Sequence, residues 1–318
     1  MAEVSIRPVS GKDRILFLDV LRGLAIFFIF IANTPMFLGS AFYPAELKES
    51  FASYPIDYWV DMFVLVFVGG KFYSIFALLF GIGLVVQQRS AARNGIPLSD
   101  WMGTGQEMAD PLTILAISDF WLFFKLNLIS PLIRIGDLLF DGRIFKVLAM
   151  FLIGIWAGRH IFEKDLLNNV PFLKKIVLWG FAIGVPANIM RAVIQQGDFG
   201  EATGTLLGFL MYAIGVAPLA CAYAAGIALW VKSKPSHLSW VAPVGKTALT
   251  NYLFQTVISI TIYYGVGFGL SGNIGSSVGT LIALCIFAFQ VMMSTMWLKK
   301  YQYGPVEWLW RKMTYGES

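Results

Sequence analysis

Charge is scarce in this sequence, and so are the residues on which soluble enzymes depend. Only 14% of the 318 residues are Asp, Glu, Lys or Arg, and there are two histidines and two cysteines. Cys221 and Cys285 both lie inside apolar runs, which argues against a disulfide framework or a thiolate metal site; reduced, buried thiols need no further role. No His-Glu-x-x-His or Walker A string occurs, and no Gly-x-Gly-x-x-Gly follows a strand. The common soluble-enzyme chemistries therefore have no support. The formal charge of +5, from 24 basic against 19 acidic residues, is not gathered into a basic block with interleaved aromatics, so nucleic acid is not an expected partner. Residues Met1 to Arg14 are polar and carry no small-residue cleavage pattern, so no removed signal peptide is expected. Soluble domains, low-complexity tracts and clear internal repeats are also missing.

What the chain has in abundance is apolar sequence. Hydrophobic residues make up 57% and the mean hydropathy is +0.69, far from the balance of a soluble domain. A bilayer core of about 30 Å takes roughly 20 apolar residues in helical form. Only helices and closed barrels satisfy backbone groups in lipid, and these runs are too long and continuous for barrel strands. The expected fold is an all-α, polytopic transmembrane helix bundle.

Eight spans are expected: Leu16–Phe37, Trp59–Val86, Leu112–Leu132, Phe145–Ala157, Ile176–Ile194, Leu206–Val231, Ala248–Leu270 and Val278–Leu298. The second is longer than one crossing needs, and Gly69-Gly70-Lys71 should split it into an interfacial or re-entrant part and a true span ending at Gly81-Ile82-Gly83. The third carries Asp119, Lys125 and Asn127, and fits either a polar span or an amphipathic surface helix. The positive-inside rule decides for a span. Arg89 and Arg93 lie before it, and Arg159, Lys164, Lys174 and Lys175 follow the next run. Both groups look cytoplasmic, so an even number of crossings must separate them. Lys232, Lys234, Lys246, Lys299 and Lys300 also fall inside, which puts both termini in the cytoplasm. Gly304–Tyr315 reads as an interfacial amphipathic helix anchored by Trp308 and Trp310.

Function has to be sought in the polar groups kept at membrane depth, and each has two readings. Asp19 and Arg22 share a helix face and can pair, as an interfacial ion pair with Arg22 snorkelling or as part of a site. Lys71, at a backbone break, is a snorkelling lysine or a binder of phosphate or carboxylate. Lys246, Thr247, Thr250, Asn251 and Gln255 form a stripe entering the seventh span. It turns inward either to bond another helix or to line a substrate path. Arg143, Lys146 and Arg159 bracket the fourth span, as membrane-end anchors or as cations for an anionic ligand. His160 and His237 fall in expected cytoplasmic loops, where solvated loop residues are the ordinary reading.

Five strings together carry a resemblance: Leu18–Gly23, Lys71–Gly83, Gly142–Leu148, Gly245–Gln255 and Gly304–Arg311. In this order they resemble the bacterial YeiB-like membrane proteins, filed as domain of unknown function 418, over both ends of the chain. That family is similar to a wider superfamily of transmembrane acyltransferases that includes the lysosomal heparan-glucosaminide N-acetyltransferase. The resemblance implies an acyl donor, a cytosolic acyl-CoA, entering from inside, an acceptor entering from outside, and a site within the bundle. Asp19, Arg22 and Asn33 match the superfamily's first-span motif. The chain departs after the second span, where the family carries a Gly-x-x-His element on a helix, an outer turn with Asp, and another helix. Here Arg93-Asn94-Gly95 runs into a polar linker, so this single membrane-embedded domain is expected to be shortened over residues 90–140. General-base chemistry needs a proton acceptor, and Asp119 is the one substitute for that histidine.

Two functions follow. The first is transfer from acyl-CoA to an acceptor in the cell envelope. Asp19 and Asp119 would be catalytic, and Arg22, Asn33, Lys71, Arg143, Lys146, Lys246, Thr250, Asn251 and Gln255 would bind substrate, with no metal and no bound cofactor. The second is a non-catalytic membrane protein, either a small-metabolite transporter or an accessory subunit. Expected partners are the lipid bilayer of the bacterial plasma membrane, an acyl-CoA or lipid ligand, and a second copy or a membrane complex. Asp19, Arg22, Lys71, Thr250, Asn251 and Gln255 are expected to converge on one cavity between the first, second and seventh spans.

Overall fold

The computed structural model describes residues 15–93, 143–197 and 199–315, and among these every regular element is helical. In chain order they are α1 (Leu16–Leu38), the short α2 (Ala45–Ser50), α3 (Tyr54–Phe63), α4 (Lys71–Arg93), α5 (Arg143–Glu163), α6 (Val170–Gln196), α7 (Glu201–Ser233), the short α8 (Ala242–Lys246), α9 (Ala248–Tyr263), α10 (Ser276–Trp297) and α11 (Pro305–Tyr315). Six helical stretches are long and apolar enough to cross a bilayer: Leu16–Leu38, Tyr54–Val86, Phe145–Glu163, Val170–Gln196, Thr203–Ser233 and Ser276–Trp297. The chain is a multi-pass, all-α membrane protein.

Two of the eight expected spans are not among these six. Leu112–Leu132, with Asp119, lies outside the described residues. In the other, Ala248–Leu270, the helix α9 stops at Tyr263 after 16 residues. The glycines in Tyr264-Gly265-Val266-Gly267-Phe268-Gly269 let the backbone fold back, so that Phe268 N bonds Thr261 O at 2.7 Å and Ser271 N bonds Tyr263 O at 3.0 Å. The second stretch is divided where the sequence predicts, but α4 does not end at Gly81-Ile82-Gly83. It runs on to Arg93, because Gly81 is used for packing rather than for termination.

The division itself has a local cause. Val64–Val68 widens into a π-turn, in which Gly69 N bonds Val64 O at 2.7 Å. That shift leaves the carbonyl of Leu65 without the amide an α-helix would bring to it. Gly70 follows with φ of 81° and passes against Tyr212, where a Cβ would come 2.8 Å from the phenol oxygen. Only glycine fits there.

Close backbone approach at small residues holds the bundle together, as expected where lipid gives no hydrophobic drive between helices. A Cβ at Gly154 would be driven into the carbonyl of Leu78, one at Gly81 into that of Phe151, and one at Gly158 would lie 3.1 Å from Ile82 Cα. Further along, the Arg89 guanidinium sits 4.9 Å from the centre of the Phe162 ring. Residue numbers rise together along this interface, so α4 and α5 pack parallel. By contrast α6 and α7 form an antiparallel hairpin, Gly180 against Pro218 and Gly184 against Gly215.

The helix ends fall into two groups. At the proximal end, where α1 begins, Gly245 presses on Asp19 and Glu307 of α11 meets the start of α9. At the distal end, where α1 finishes, Ser276 bonds Ser40 at 3.1 Å, Asp57 caps α10 through Ser277 N at 2.7 Å, and Tyr58 bonds Gln196 at 3.0 Å. Leu16 and α11 therefore lie at the same end. The amphipathic C-terminal helix is present, with Trp308 and Trp310 exposed.

Candidate functional site

The break at Gly69-Gly70 opens a cavity of about 700 Å³ near the distal end, lined from α1, α4, α6, the α6–α7 turn and α7. Arg191, Tyr212, Tyr73, Thr205 and Gln195 give it polar groups, and Phe199 and Phe209 give it aromatic walls. Among the described residues no Asp, Glu or His lines it.

Cations surround Tyr212. Arg191, on α6, carries its guanidinium 4.6 Å from the centre of the Tyr212 ring. Lys146, on α5, donates to the Tyr212 hydroxyl and lies 4.4 Å from the same ring centre. Lys71 opens α4 and is wholly buried. Its Nζ donates to the freed Leu65 carbonyl at 2.9 Å, and both Arg191 and Lys146 are within electrostatic reach of it. Because Tyr212 accepts from Lys146, the phenol's own proton is available to an acceptor inside the cavity. Beside this group Tyr73 donates to Asn33 of α1. The arrangement offers charge and hydrogen-bond donors in a site partly removed from water, which suits an anion.

The structure gathers some of the expected site residues here and disperses the rest. Lys71 and Lys146 come together, with Asn33 adjoining. Arg143 opens α5, and its side chain lies outside the described residues, as does Asp119. Asp19 and Arg22 pair at 3.6 Å near the proximal end, Asp19 buried and Arg22 partly exposed. Lys246 is exposed. Thr250 turns to α11, where Glu307 accepts from Leu249 N at 2.8 Å, from Thr250 N at 3.1 Å and from the Thr250 hydroxyl. Asn251 and Gln255 face α10. Asn251 Nδ2 bonds Ser294 Oγ at 3.0 Å and Thr247 Oγ1 at 2.8 Å, and Gln255 Nε2 bonds Gln290 Oε1 at 2.8 Å. The six residues expected in one cavity are engaged with different partners, and none of them lines the distal cavity. The stripe is inward, but its partners are helices α10 and α11.

Arg159 is exposed, His160 stacks on Trp156 and bonds its carbonyl, and His237 is exposed. Arg191 and Tyr212 were not singled out by sequence reasoning. The signal for Arg191 was available: it is a lone arginine within the run Ile176–Ile194, and charge at that depth is costly unless it has work to do. Tyr212 had no such mark among 12 tyrosines.

Comparison with known proteins places the chain among proteins described by family rather than by activity. A family model, "Protein of unknown function (DUF418)", matches residues 157–317. An "Uncharacterized 39.9 kDa protein in amylase 3'region" of Bacillus acidopullulyticus is 27% identical, over 98% of this chain and 96% of its own. The YxaH protein of Bacillus subtilis is 24% identical with the same coverage, and YeiB of Escherichia coli is 38% identical over 23% of this chain and 19% of its own. No solved structure matches. The family model spans half of the sequence, from the end of α5 through α11, and the chain belongs to the DUF418 family.

Proposed function

We propose that this protein is a bacterial plasma-membrane protein that holds a small anionic metabolite, one bearing a carboxylate or phosphate, in the distal pocket, as a transporter would. The observation that carries the reading is the meeting of Arg191 and Lys146 on Tyr212 beside the cavity, with Lys71 within electrostatic reach of both. Basic side chains held beside a cavity at membrane depth attract an anion strongly in low dielectric. The test is a thermal-shift and calorimetric titration of the purified protein with inorganic phosphate, acetate and acetyl-CoA. Phosphate or acetate should raise the unfolding midpoint, and Arg191→Gln should weaken binding about ten- to hundredfold, the loss of one charge-assisted contact. No shift with either anion at millimolar concentration overturns the reading.

Acyl transfer is the second reading, and the Asp19–Arg22 pair in a first span resembling the acyltransferases favours it. Such a step breaks the thioester C–S bond, joins the acyl carbon to an acceptor oxygen or nitrogen, and passes the acceptor's proton to a base. The donor would enter at the proximal end and the acceptor at the distal one. Asp19 is held by Arg22, and the described lining of the pocket supplies donors and cations rather than a base. Binding without chemistry is therefore preferred. Acetyl-CoA binding that depends on Arg22 would reverse that preference.

The same reading takes the chain as eight crossings with both ends in the cytoplasm, in one domain shortened over residues 90–140. The alignment with the B. subtilis relative runs over 403 residues against 318 in this chain, which supports a shortening somewhere in the chain. Parallel packing of α4 and α5 supports a crossing between them, since a chain leaving α4 proximally must reach the distal end before α5 begins. Single cysteines at Glu49, Gln195 and Ser271 should label from outside, and those at Arg93, Lys164 and Lys234 from inside. Labels at Arg93 and Lys164 on opposite sides end this topology.

A further inference from the structure

The pocket's shape says more about its occupant than its charge does. Its far wall is a stripe of glycines one turn apart, Gly200, Gly204 and Gly208, at the start of α7. Gly154, Gly180 and Gly245 receive a neighbouring helix, each with backbone so close that a Cβ could not be added, whereas Gly83 of α4 is open. Among the described residues, an added Cβ at Gly208 or Gly200 would meet nothing within 4 Å, and one at Gly204 would meet Phe199 Cβ at 3.7 Å. No described helix fills this groove. It leads from the α6–α7 turn down to Arg191 and Tyr212.

Depth fixes which end of a ligand carries the charge. Tyr212 stands eleven residues past the first residue of α7, about 16 Å along the axis. That helix has 33 residues, about 50 Å, and so overhangs a 30 Å hydrocarbon core by about 10 Å at each end. The cations lie below the level of lipid phosphates, and the open groove runs from them toward the water. A lipid of that leaflet has the opposite polarity, phosphate at the surface and chains beneath. Resting on the anion-binding reading above, we infer that the pocket takes a soluble, elongated molecule with a phosphate or carboxylate at one end. It enters anion-first from the distal, extracytoplasmic side, and its uncharged body lies along Gly200–Gly208 between Phe199 and Phe209. Arg191 and the Tyr212 hydroxyl hold the anion, and Lys71 and Lys146 stand behind them.

The shared chemistry with a lipid is the phosphate, so the test separates the two sources. Inorganic phosphate and a hexose 6-phosphate are titrated into the protein in phosphatidylcholine nanodiscs and in nanodiscs containing phosphatidylglycerol. The hexose phosphate should bind at least tenfold more tightly than inorganic phosphate, and equally well in both lipids. Gly208→Leu places a side chain in the groove where the fold leaves room for it, and should narrow that tenfold advantage to about twofold. Arg191→Gln should weaken both ligands. A hexose phosphate that binds no better than phosphate, or an advantage unchanged by Gly208→Leu, overturns the groove while leaving anion binding in place. Competition by phosphatidylglycerol that Arg191→Gln abolishes overturns the soluble ligand in favour of a lipid. Failure of both phosphates to bind in either nanodisc overturns the inference together with the reading on which it rests.

Discussion

Two polar regions are buried in this bundle, and they are built on opposite terms. Between α9 and α10 the groups are amides and hydroxyls that satisfy one another: Asn251 with Thr247 and Ser294, Gln255 with Gln290, Gln290 Nε2 with Asn251 O at 2.8 Å. Two side-chain atoms on α9, Gln255 Oε1 and Ser259 Oγ, have no hydrogen-bond partner among the described residues. Between α4, α5, α6 and α7 the groups are basic, with Arg191 and Lys146 against one phenol beside open space. Neutral donors and acceptors can close a site among themselves in low dielectric, whereas ammonium and guanidinium groups carry donors alone and bond most strongly to an anionic acceptor. Two carboxylates serve helix ends instead. Asp57 caps α10 at the distal end and Glu307 caps α9 at the proximal end, each accepting backbone amides from a helix it does not belong to. The seam is closed by its own groups, and the pocket leaves open space beside its basic side chains.

The contrast can be broken at its root by parting α4 from α5. Gly154→Leu forces a side chain into the Leu78 backbone and withdraws Lys146 from Tyr212. It should give little stable protein in detergent, and what survives should lose phosphate binding; overpacking a tight contact costs about 1–3 kcal/mol or more. Size-exclusion profiles and thermal melts check it, and a stable variant with intact binding would show that the pocket does not need α5. A smaller change sharpens the contrast from the other side. Asn251→Leu removes the Asn251 Nδ2 hydrogen bonds to Thr247 and Ser294, each worth about 0.6 kcal/mol in a membrane bundle. Stability should fall by about 1–2 kcal/mol in a denaturant or heat titration, while phosphate affinity stays within about twofold. Lost affinity with unchanged stability would make the seam a site in its own right.

What the sequence made legible follows from how strong each signal is. Long apolar runs have one physical outcome in lipid, so the helical bundle and the break at Gly69-Gly70 could be read directly. The end of α9 could not, because Tyr264–Leu270 is as apolar as a helix, and its three glycines form a fold-back only when α1 and Tyr43 are there to receive it. Lys71 and Lys146 were legible as charges out of place. Their meeting was not, since it runs through Tyr212 and through a parallel helix pair that no local pattern encodes. Thr250 misled for a simple reason: it shares the helix of Asn251, but its hydroxyl answers to Glu307, 57 residues further on.

The parallel pairing of α4 and α5 also governs the order in which the molecule can be assembled. Helical hairpins such as α6–α7 can close as soon as their second member emerges during synthesis. Gly81 must wait for Gly154, beyond some fifty residues between the end of α4 and the start of α5. At cellular elongation rates the 73 residues from Gly81 to Gly154 take roughly 4–15 s to emerge, during which the α4 groove stands open in the membrane. Newly made chains are then most exposed to membrane proteases and to wrong helix partners. Lesions at Gly81 or Gly154 should accordingly be read in how much protein survives biogenesis, before any question of what the finished protein binds.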